Sequence, residues 1–385
     1  GMPLAVGAAG ALLQYLSDTQ RSALPHITRL QVDNHQDGII IDAATRRNLE
    51  LIEAASGKRQ HSLSGLLDTT ATAMGGRLLR RWISRPLRDQ VTVRERHAAI
   101  ACLLDRRLVE PLRDLLRGIG DIERILARVA LKTARPRDLA VLRDSLAALP
   151  ALQAELHQLE DPGLKTLSAE IGEQPQTHEL LSRAILENPP VVLRDGGVLA
   201  RGYDGELDEL RDLSQNADQF LVDLEQRERE RTGIENLKVS YNRVHGYYIE
   251  ISRSKSEQAP ADYIRRQTLK GAERFITPDL KAFEDKVLSA RERALQREKI
   301  LYEQLLDVLM SPLPELQLSA DGIARLDVLC SFAERATALD LCRPDFREEP
   351  GLSVLGGRHP VVEQVSQAPF VANDLVMDER RNILI

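Results

Sequence analysis

Residues 237–252 show a pattern that a pair of β-strands satisfies and a helix does not. Apolar and polar residues alternate over 237–242 and again over 247–252. The four residues between these runs include Gly246, and a short glycine-containing connection is typical of a β-hairpin. The long segments on both sides have helical periodicity instead. We therefore predict a small β module, residues 237–276, inserted into a helical protein.

The β module is basic, whereas the chain as a whole is acidic. Residues 237–276 contain eight Lys or Arg and four Asp or Glu, a net charge of +4, while the whole chain has −6. Four of the seven tyrosines also lie there. A local basic patch is typical of a surface that contacts nucleic acid, although a pI near 5.9 excludes a protein that coats nucleic acid with its whole surface. The alternative is the solvated face of an ordinary β subdomain.

Two long segments with helical periodicity flank the β module. Upstream, apolar residues recur every three or four positions from Asp204 to about Arg231. Downstream, Thr277 can cap a helix whose first residue is Pro278, and an apolar stripe continues to Leu305. At about 1.5 Å per residue, these helices would be roughly 40 and 50 Å long. Because one leads to the β module and the other leads back, we expect an antiparallel pair of arms.

The segments farther from the β module are also predicted from their periodicity. Helices are expected at 63–82, 93–104 and 121–131, with prolines separating them at Pro86, Pro111 and Pro136. An apolar run with two central glycines, 193–199, predicts a short strand pair. Near the end of the chain, strands are expected at 352–355, 360–365 and 382–385. Because the last of these is typical of a buried parallel strand, we expect its domain to continue beyond residue 385.

Composition argues against several other classes of protein. No apolar run approaches the roughly 20 residues that span a bilayer, and no signal peptide is recognisable. Three cysteines without a CxxC pair favour reduced, buried thiols in a cytoplasmic protein. The eight histidines show no metal-ligand spacing, and no nucleophile, base and acid can be grouped from sequence. We therefore assign neither catalytic nor metal-binding residues.

Several ordered segments together resemble the bacterial DNA mismatch-recognition ATPases of the MutS family. The match extends over essentially the whole chain, and its segments are 42–50 (DAATRRNLE), 72–82 (TAMGGRLLRRW), 121–128 (DIERILAR), 134–139 (ARPRDL), 244–249 (VHGYYI), 266–270 (RQTLK), 357–363 (GRHPVVE) and 369–373 (PFVAN).

The resemblance implies a mainly α fold with a small inserted β clamp and long antiparallel lever helices on a helical core, followed by the first strands of a truncated α/β ATPase domain. The implied domains are a connector tail at 1–40, a core and lever domain in two parts at 41–216 and 277–340, a clamp at 217–276, and the start of the ATPase domain at 341–385.

The resemblance also implies parts that these 385 residues do not contain. The family's mismatch-reading domain, with its Phe-x-Glu wedge, has no counterpart here, and no segment reads G-x-x-x-x-G-K-[ST], the loop that holds nucleotide phosphates. We therefore expect no ATP hydrolysis and no bound cofactor in this chain. The full-length protein is expected to bind ATP and Mg²⁺, to form a homodimer and to work with a MutL-like repair partner.

Five basic residues beyond the hairpin are predicted to contact DNA phosphates, from loops and turns: Arg253, Lys255, Arg265, Arg266 and Lys270. Phosphate contacts position a protein on a duplex without reading its sequence. The alternative is that some of them pair with nearby carboxylates, namely Glu257, Asp262 and Glu273. The tyrosines Tyr241, Tyr247 and Tyr248 are predicted to pack in the sheet rather than to stack on bases.

A second predicted site depends on the resemblance alone. The resemblance implies that Phe370 contacts the adenine ring in the full-length protein and that Val371 takes the neighbouring aliphatic position. In this chain we expect Phe370 to be exposed or disordered. The leading functional hypothesis is thus a clamp and lever fragment of a mismatch sensor. Its rival is a structural coiled-coil arm whose end binds protein, in which case an exposed apolar patch is expected there.

Overall fold

A computed structural model describes residues 2–20, 38–215, 217–242, 246–347 and 350–378. The chain divides into two compact units. The first comprises residues 1–134, 138–181 and 306–385, and the second comprises residues 135–137 and 182–305. Among the described residues, no helix combines the length and the apolar character required to cross a membrane.

The fold is mainly α, as predicted, and its sixteen described α-helices follow one another along the chain. They are α1 Pro3–Gln20, α2 Ala43–Asn48, α3 Leu63–Leu67, α4 Ala73–Ser84, α5 Gln90–Asp105, α6 Val109–Arg117, α7 Ile122–Ala130, α8 Pro136–Ala147, α9 Leu149–Leu156, α10 Pro162–Ile171, α11 Pro175–Ala184, α12 Gly205–Gln215, α13 Ala217–Thr232, α14 Pro278–Val308, α15 Leu313–Ala338 and α16 Pro360–Val365.

The strands form two small antiparallel sheets. Strands β1 Lys238–Asn242, β2 Gly246–Ser252, β3 Ile264–Thr268 and β4 Ala272–Ile276 form a sheet in the order β1-β2-β4-β3, and β5 Leu352–Gly357 pairs with β6 Asn373–Met377. The predicted hairpin is confirmed as β1 and β2, but its connection, 243–245, lies outside the described residues. Strands β3 and β4 were not predicted, because their charged residues hide the alternation.

The first unit is built around α15, which is buried along most of its length. The Asp327 carboxylate of α15 is fully buried and accepts hydrogen bonds from the N–H groups of Ala71 and Thr72, both at 2.8 Å, and from the Thr72 hydroxyl at 2.7 Å. A Cβ at Gly75 would lie 2.2 Å from Asp327 Oδ2. The packing of α4 on α15 therefore requires glycine at position 75.

Three predictions about helix boundaries in the N-terminal part of the chain were wrong. The expected helix 63–82 is two helices, because Thr72 accepts a hydrogen bond from the N–H of Gly75 and so caps a new helix at residue 73. Pro111 and Pro136 lie in the first turns of α6 and α8 rather than between helices. A proline in a first turn removes no intrahelical hydrogen bond, so it is compatible with a helix start.

The second unit contains the predicted antiparallel arms. Near the start of α12, Asp204 lies 2.7 Å from Arg297 of α14, and near the β module Phe220 of α13 stacks on Phe283 of α14 with ring centroids 3.8 Å apart. Thr277 caps α14 by accepting the N–H of Leu280 at 3.2 Å, as predicted. The 31 residues of α14 correspond to a length of about 46 Å.

The strand pair predicted at 193–199 is absent from the described structure. A 3-10 helix, Leu193–Asp195, is followed by two glycines with φ near +71°, and the next residues meet a carboxylate from α14. Glu298, 2% exposed, accepts the N–H groups of Gly197 at 2.9 Å, Val198 at 2.6 Å and Leu199 at 2.8 Å. A buried side chain thus supplies the acceptors that a neighbouring strand would otherwise supply.

Near the end of the chain, one of the three predicted strands is confirmed as β5 and one is wrong. Residues 360–365 form α16, because His359 Nδ1 accepts the N–H of Val362 at 3.2 Å and Pro360 occupies the first helical position. The third strand, 382–385, lies outside the described residues. Cys330 is buried as expected, whereas Cys342 is exposed. The predicted domain boundaries stay predictions.

Candidate nucleic-acid interface

The four-stranded sheet of the second unit uses one face for its own core. Tyr247, Ile249 and Ile251 of β2 point to this face, and residues of α13 and α14 cover it. The buried cluster consists of Leu224, Ile234, Leu237, Val239, Tyr247, Ile249, Ile251, Tyr263, Phe275, Ile276 and Leu280. Since this face is filled by apolar side chains, a ligand can meet the sheet only at its other face, its edges or its ends.

On the other face, charged residues of neighbouring strands neutralise one another. Glu250 of β2 is in register with Lys238 of β1 and with Arg274 of β4. The Arg274 Nε lies 2.9 Å from a Glu250 carboxylate oxygen, and its guanidinium lies 4.2 Å from the ring centre of Tyr248. Tyr247 and Tyr248 are both buried, which confirms their predicted packing role, whereas Tyr241 is 46% exposed.

Two of the predicted phosphate ligands, Arg265 and Arg266, lie in strand β3 and not in a loop or turn. A β-bulge at this point lets two consecutive arginines each reach a buried carboxylate. Arg265 Nε lies 2.9 Å from Glu273, and an Arg266 nitrogen lies 3.6 Å from Glu284 of α14. The ion-pair alternative is therefore confirmed for Arg265. The partner Glu284 was missed because it belongs to another element of the chain.

Glu284 also explains the glycine of the predicted hairpin. Gly246 has φ near +72°, and a Cβ there would lie 2.3 Å from a Glu284 carboxylate oxygen. Any side chain at residue 246 would therefore strain the backbone and displace this carboxylate. The glycine thus allows both the positive φ at this position and the close approach of Glu284.

The other three predicted cations lie at the end of the sheet where β2 stops. Arg253 begins a 3-10 helix, Arg253–Gln258, that also contains Lys255, and Lys270 lies in the turn between β3 and β4. The N–H of Arg253 donates to the carbonyl of Gly271 at 3.1 Å, which brings the two segments together. None of the three side chains forms an ion pair or hydrogen bond with any residue that the structure describes. We call these three residues the basic end.

The segment that carries the basic end is tied to α13 by a polar network. The buried Tyr263 hydroxyl donates to Glu228 at 2.8 Å, and Arg231 lies 2.7 Å from Glu228 and 3.0 Å from Asp262. Burial, and then the Glu228 carboxylate, raise the pKa of Tyr263, so the phenol remains protonated and can donate. Asp262, predicted as a partner of the cations, is thus occupied by Arg231. Glu228 and Arg231 were missed because their mixed-charge run is typical of a solvated helix end.

The predicted adenine contacts lie in the segment before β6. Phe370, which was expected to be exposed or disordered, is half-buried, and Val371 is 75% exposed. Their role stays a prediction, because it concerns a nucleotide site whose phosphate loop is not among the 385 residues. Among the described residues, no three His, Cys, Asp or Glu side chains are placed to hold a metal ion.

These features define a helical protein with two antiparallel arms, whose inserted β module presents at one end three cations without a partner in the described part of the chain. A family model, MutS domain III, matches residues 44–333, which include α3 to α14, most of α15 and the whole four-stranded sheet. The chain therefore belongs to the MutS family. Proteins with this domain act in DNA mismatch repair, and membership of the family implies that this chain binds DNA in that process.

Proposed function

We propose that this chain supplies the clamp and lever of a mismatch-repair sensor, and that the basic end contacts the backbone of duplex DNA without reading its sequence. The observation that supports this proposal is the contrast among the basic residues of the β module. Arg265, Arg266 and Arg274 lie against carboxylates of the same unit. Arg253, Lys255 and Lys270 have no such partner among the described residues, so their charge is available to phosphates.

Arg265 and Arg266 remain predicted DNA contacts, but weaker ones than the three residues of the basic end. A phosphate that binds either residue has to compete with a carboxylate already in place, Glu273 or Glu284, and both carboxylates are buried. Withdrawing a cation from a buried carboxylate leaves that carboxylate uncompensated, which is costly. We therefore propose that these two arginines contribute less to DNA affinity than the basic end does.

The rival function, a protein-binding arm, is less well supported. Large exposed apolar residues described in the β module are Tyr241 on β1 and Ile264 on β3, which is 60% exposed. Strands β1 and β3 are the two opposite edges of the sheet. The two residues therefore do not form one contiguous apolar patch, which a protein-binding end would require.

The experiment measures binding of a fluorescently labelled short duplex by anisotropy over a series of salt concentrations. We expect weak binding, with Kd about 10⁻⁴ to 10⁻⁶ M, that falls steeply with salt because bound phosphates release counterions. A G·T mismatch should bind no better than a perfect duplex. Replacing Arg253, Lys255 and Lys270 together by Ala should reduce the slope of log K against log salt by about 0.9 for each phosphate that is no longer bound.

The matched control replaces three exposed cations outside the β module, Arg106, Lys165 and Lys299, by Ala. It changes the net charge by the same amount, so a purely global charge effect would alter both triple variants equally. An unchanged affinity and slope in the basic-end variant would refute the DNA site proposed here. Preference of the unmodified chain for the mismatch would refute the separation of clamp from mismatch reading.

We further propose that, in the full-length protein, α12, α13 and α14 transmit the nucleotide state to the β module, since paired helices are stiff enough to act as levers. ATP and Mg²⁺, a second copy of the protein and a MutL-like partner belong to that proposal, with Phe370 and Val371 next to the adenine. The 385-residue chain alone should not hydrolyse ATP, because it has no phosphate loop of the G-x-x-x-x-G-K-[ST] type. Phosphate release above a buffer blank, from protein purified to constant specific activity, would contradict this.

A further inference from the structure

The first unit contains a cavity of about 570 Å³ that the proposed DNA contacts do not use. Helices α4, α5 and α15 and the segment 341–346 line it, mostly with apolar side chains. Trp82, the only tryptophan of the chain, forms part of its wall together with Phe332 and Phe346. A cavity of this size, apolar with a few polar groups, is typical of a ligand site.

The principal polar group of this cavity is an arginine that has no ion-pair or hydrogen-bond partner among the described residues. The guanidinium carbon of Arg96 lies 3.4 Å from the ring centre of Trp82, so the two groups are stacked. Arg96 forms no ion pair or hydrogen bond with any residue in the described part of the chain. Burial, and then the charge of Arg325, lower the pKa of Arg96 to about 10, as expected for a cation held in an apolar place without a counter-charge.

The remaining charges of the cavity also favour an anion. Arg335 and Arg343 line it as well, and no Asp or Glu is among the described residues of its wall. Arg335 is already paired with Glu334. His97, which also lines the cavity, is half-buried, and burial followed by the charge of Arg343 lowers its pKa, so it is neutral near pH 7. An occupant with a carboxylate would therefore supply the charge that Arg96 lacks.

One wall of the cavity has backbone N–H groups without a hydrogen-bond partner in the described part of the chain. The segment 342–347 is exposed and has no regular secondary structure, and its backbone N–H groups bond to no described residue. It is held in place by Phe346, whose ring stacks on His97 with centroids 5.6 Å apart and whose carbonyl accepts from Arg94 at 3.3 Å. A second extended chain could pair with this backbone, whereas a small apolar acid could not.

We propose that this cavity binds an extended peptide segment of a partner protein in which an aromatic or branched aliphatic residue adjoins an acidic residue. The apolar side chain enters the cavity beside Trp82, the carboxylate pairs with Arg96, and the peptide backbone runs along 342–346. This interaction is separate from the DNA contact of the second unit, so the two proposals fail or succeed independently.

The sole tryptophan makes the test direct, because Trp82 fluorescence reports on the cavity itself. The probe is acetyl-Leu-Phe-Asp-Leu-amide, compared with the isosteric acetyl-Leu-Phe-Asn-Leu-amide and with free 3-phenylpropanoate. We expect the Asp peptide to change the fluorescence saturably and to bind about tenfold or more tightly than the Asn peptide, as a charge-assisted hydrogen bond implies. Free 3-phenylpropanoate should bind more weakly than the Asp peptide, since it lacks the backbone groups.

Arg96→Gln should weaken binding of the Asp peptide by about tenfold or more and remove its advantage over the Asn peptide. Arg96→Lys, which keeps the charge but not the planar stack, should retain a preference for the Asp peptide. The control is Arg106→Gln, at an exposed arginine beyond the end of α5, which should bind as the unmodified chain does. Circular dichroism establishes that each variant is folded.

Three results would overturn the proposal. They are an absence of saturable fluorescence change or binding heat up to about 1 mM peptide, equal affinity for the Asp and Asn peptides, and binding of 3-phenylpropanoate as tight as that of the peptide. The last result would assign the cavity to a small acid rather than to a partner protein.

Discussion

Removing the buried Glu298 carboxylate of α14 should destabilise the second unit strongly. In Glu298→Ala, the N–H groups of Val198 and Leu199 lose their acceptor, and both residues are fully buried. Each unsatisfied buried donor costs about 1–3 kcal/mol. Gly197 and Arg211, which also donate to Glu298, are nearer to solvent and can bind water. We therefore expect the free energy of unfolding to fall by about 2–6 kcal/mol.

The amide variant separates hydrogen bonding from charge, because the two carboxylate oxygens have different partners. Oε1 accepts from Val198, Leu199 and Arg211, and Oε2 accepts from Gly197 alone. In Glu298→Gln, a carbonyl oxygen at the Oε1 position keeps three of the four bonds, so only Gly197 loses its acceptor and meets an N–H₂ group. The expected loss is about 1–3 kcal/mol, smaller than for the alanine variant.

Two measurements test this reasoning. Urea denaturation followed by circular dichroism gives the change in unfolding free energy, and hydrogen exchange read by mass spectrometry reports on the amides of residues 197–199. Faster exchange there is expected in Glu298→Ala. The control is Glu303→Gln, an exposed residue of the same helix, which should lie within about 0.5 kcal/mol of the unmodified chain. If the unfolding free energy of Glu298→Ala lay within about 1 kcal/mol of that of the unmodified chain, with unchanged exchange at 197–199, the Glu298 carboxylate would not be what holds these residues in place.

Two further predictions concern the continuity of helix α14 and the loss of stability at low pH. Ala290 is buried in the middle of α14, so Ala290→Pro should cost about 3 kcal/mol or more by removing a helical hydrogen bond; unchanged helical content and melting temperature would contradict a continuous α14. In the first unit, burial raises the pKa of Asp121 and is the largest single effect on it. The hydrogen bonds from Arg77 and from the N–H of Arg124, together with the charges of these two arginines, outweigh burial, so the net pKa lies below the ordinary value of 3.8. A lowered folded-state pKa stabilises the fold above pH 3.8, and this stabilisation disappears as the pH falls through the folded-state pKa. The difference in unfolding free energy between the unmodified chain and Asp121→Asn should therefore shrink on acidification. A difference that stayed constant from neutral pH down to the lowest pH at which the chain is folded would refute the assignment.

Local features of the sequence were sufficient for the arms and the hairpin. Thr277 and Pro278 mark the start of α14 because capping depends on residues within one turn. The hairpin of β1 and β2 follows from alternation around Gly246, since both partners lie within one short segment. The family could also be recognised, because its segments are local and ordered along the chain, and the family match over 44–333 confirms it.

The tertiary structure decided which charges are available to a ligand. Arg265 and Arg266 look as accessible in the sequence as Arg253 and Lys270, yet a β-bulge and a helix from elsewhere in the chain bring Glu273 and Glu284 against them. The same holds for Glu298, whose acceptor role depends on a loop about a hundred positions earlier in the chain. Periodicity and capping act between near neighbours, whereas the partner of a charged side chain is set by which distant elements pack together. The sequence alone therefore determined the arms, the hairpin and the family, and the packing determined the site.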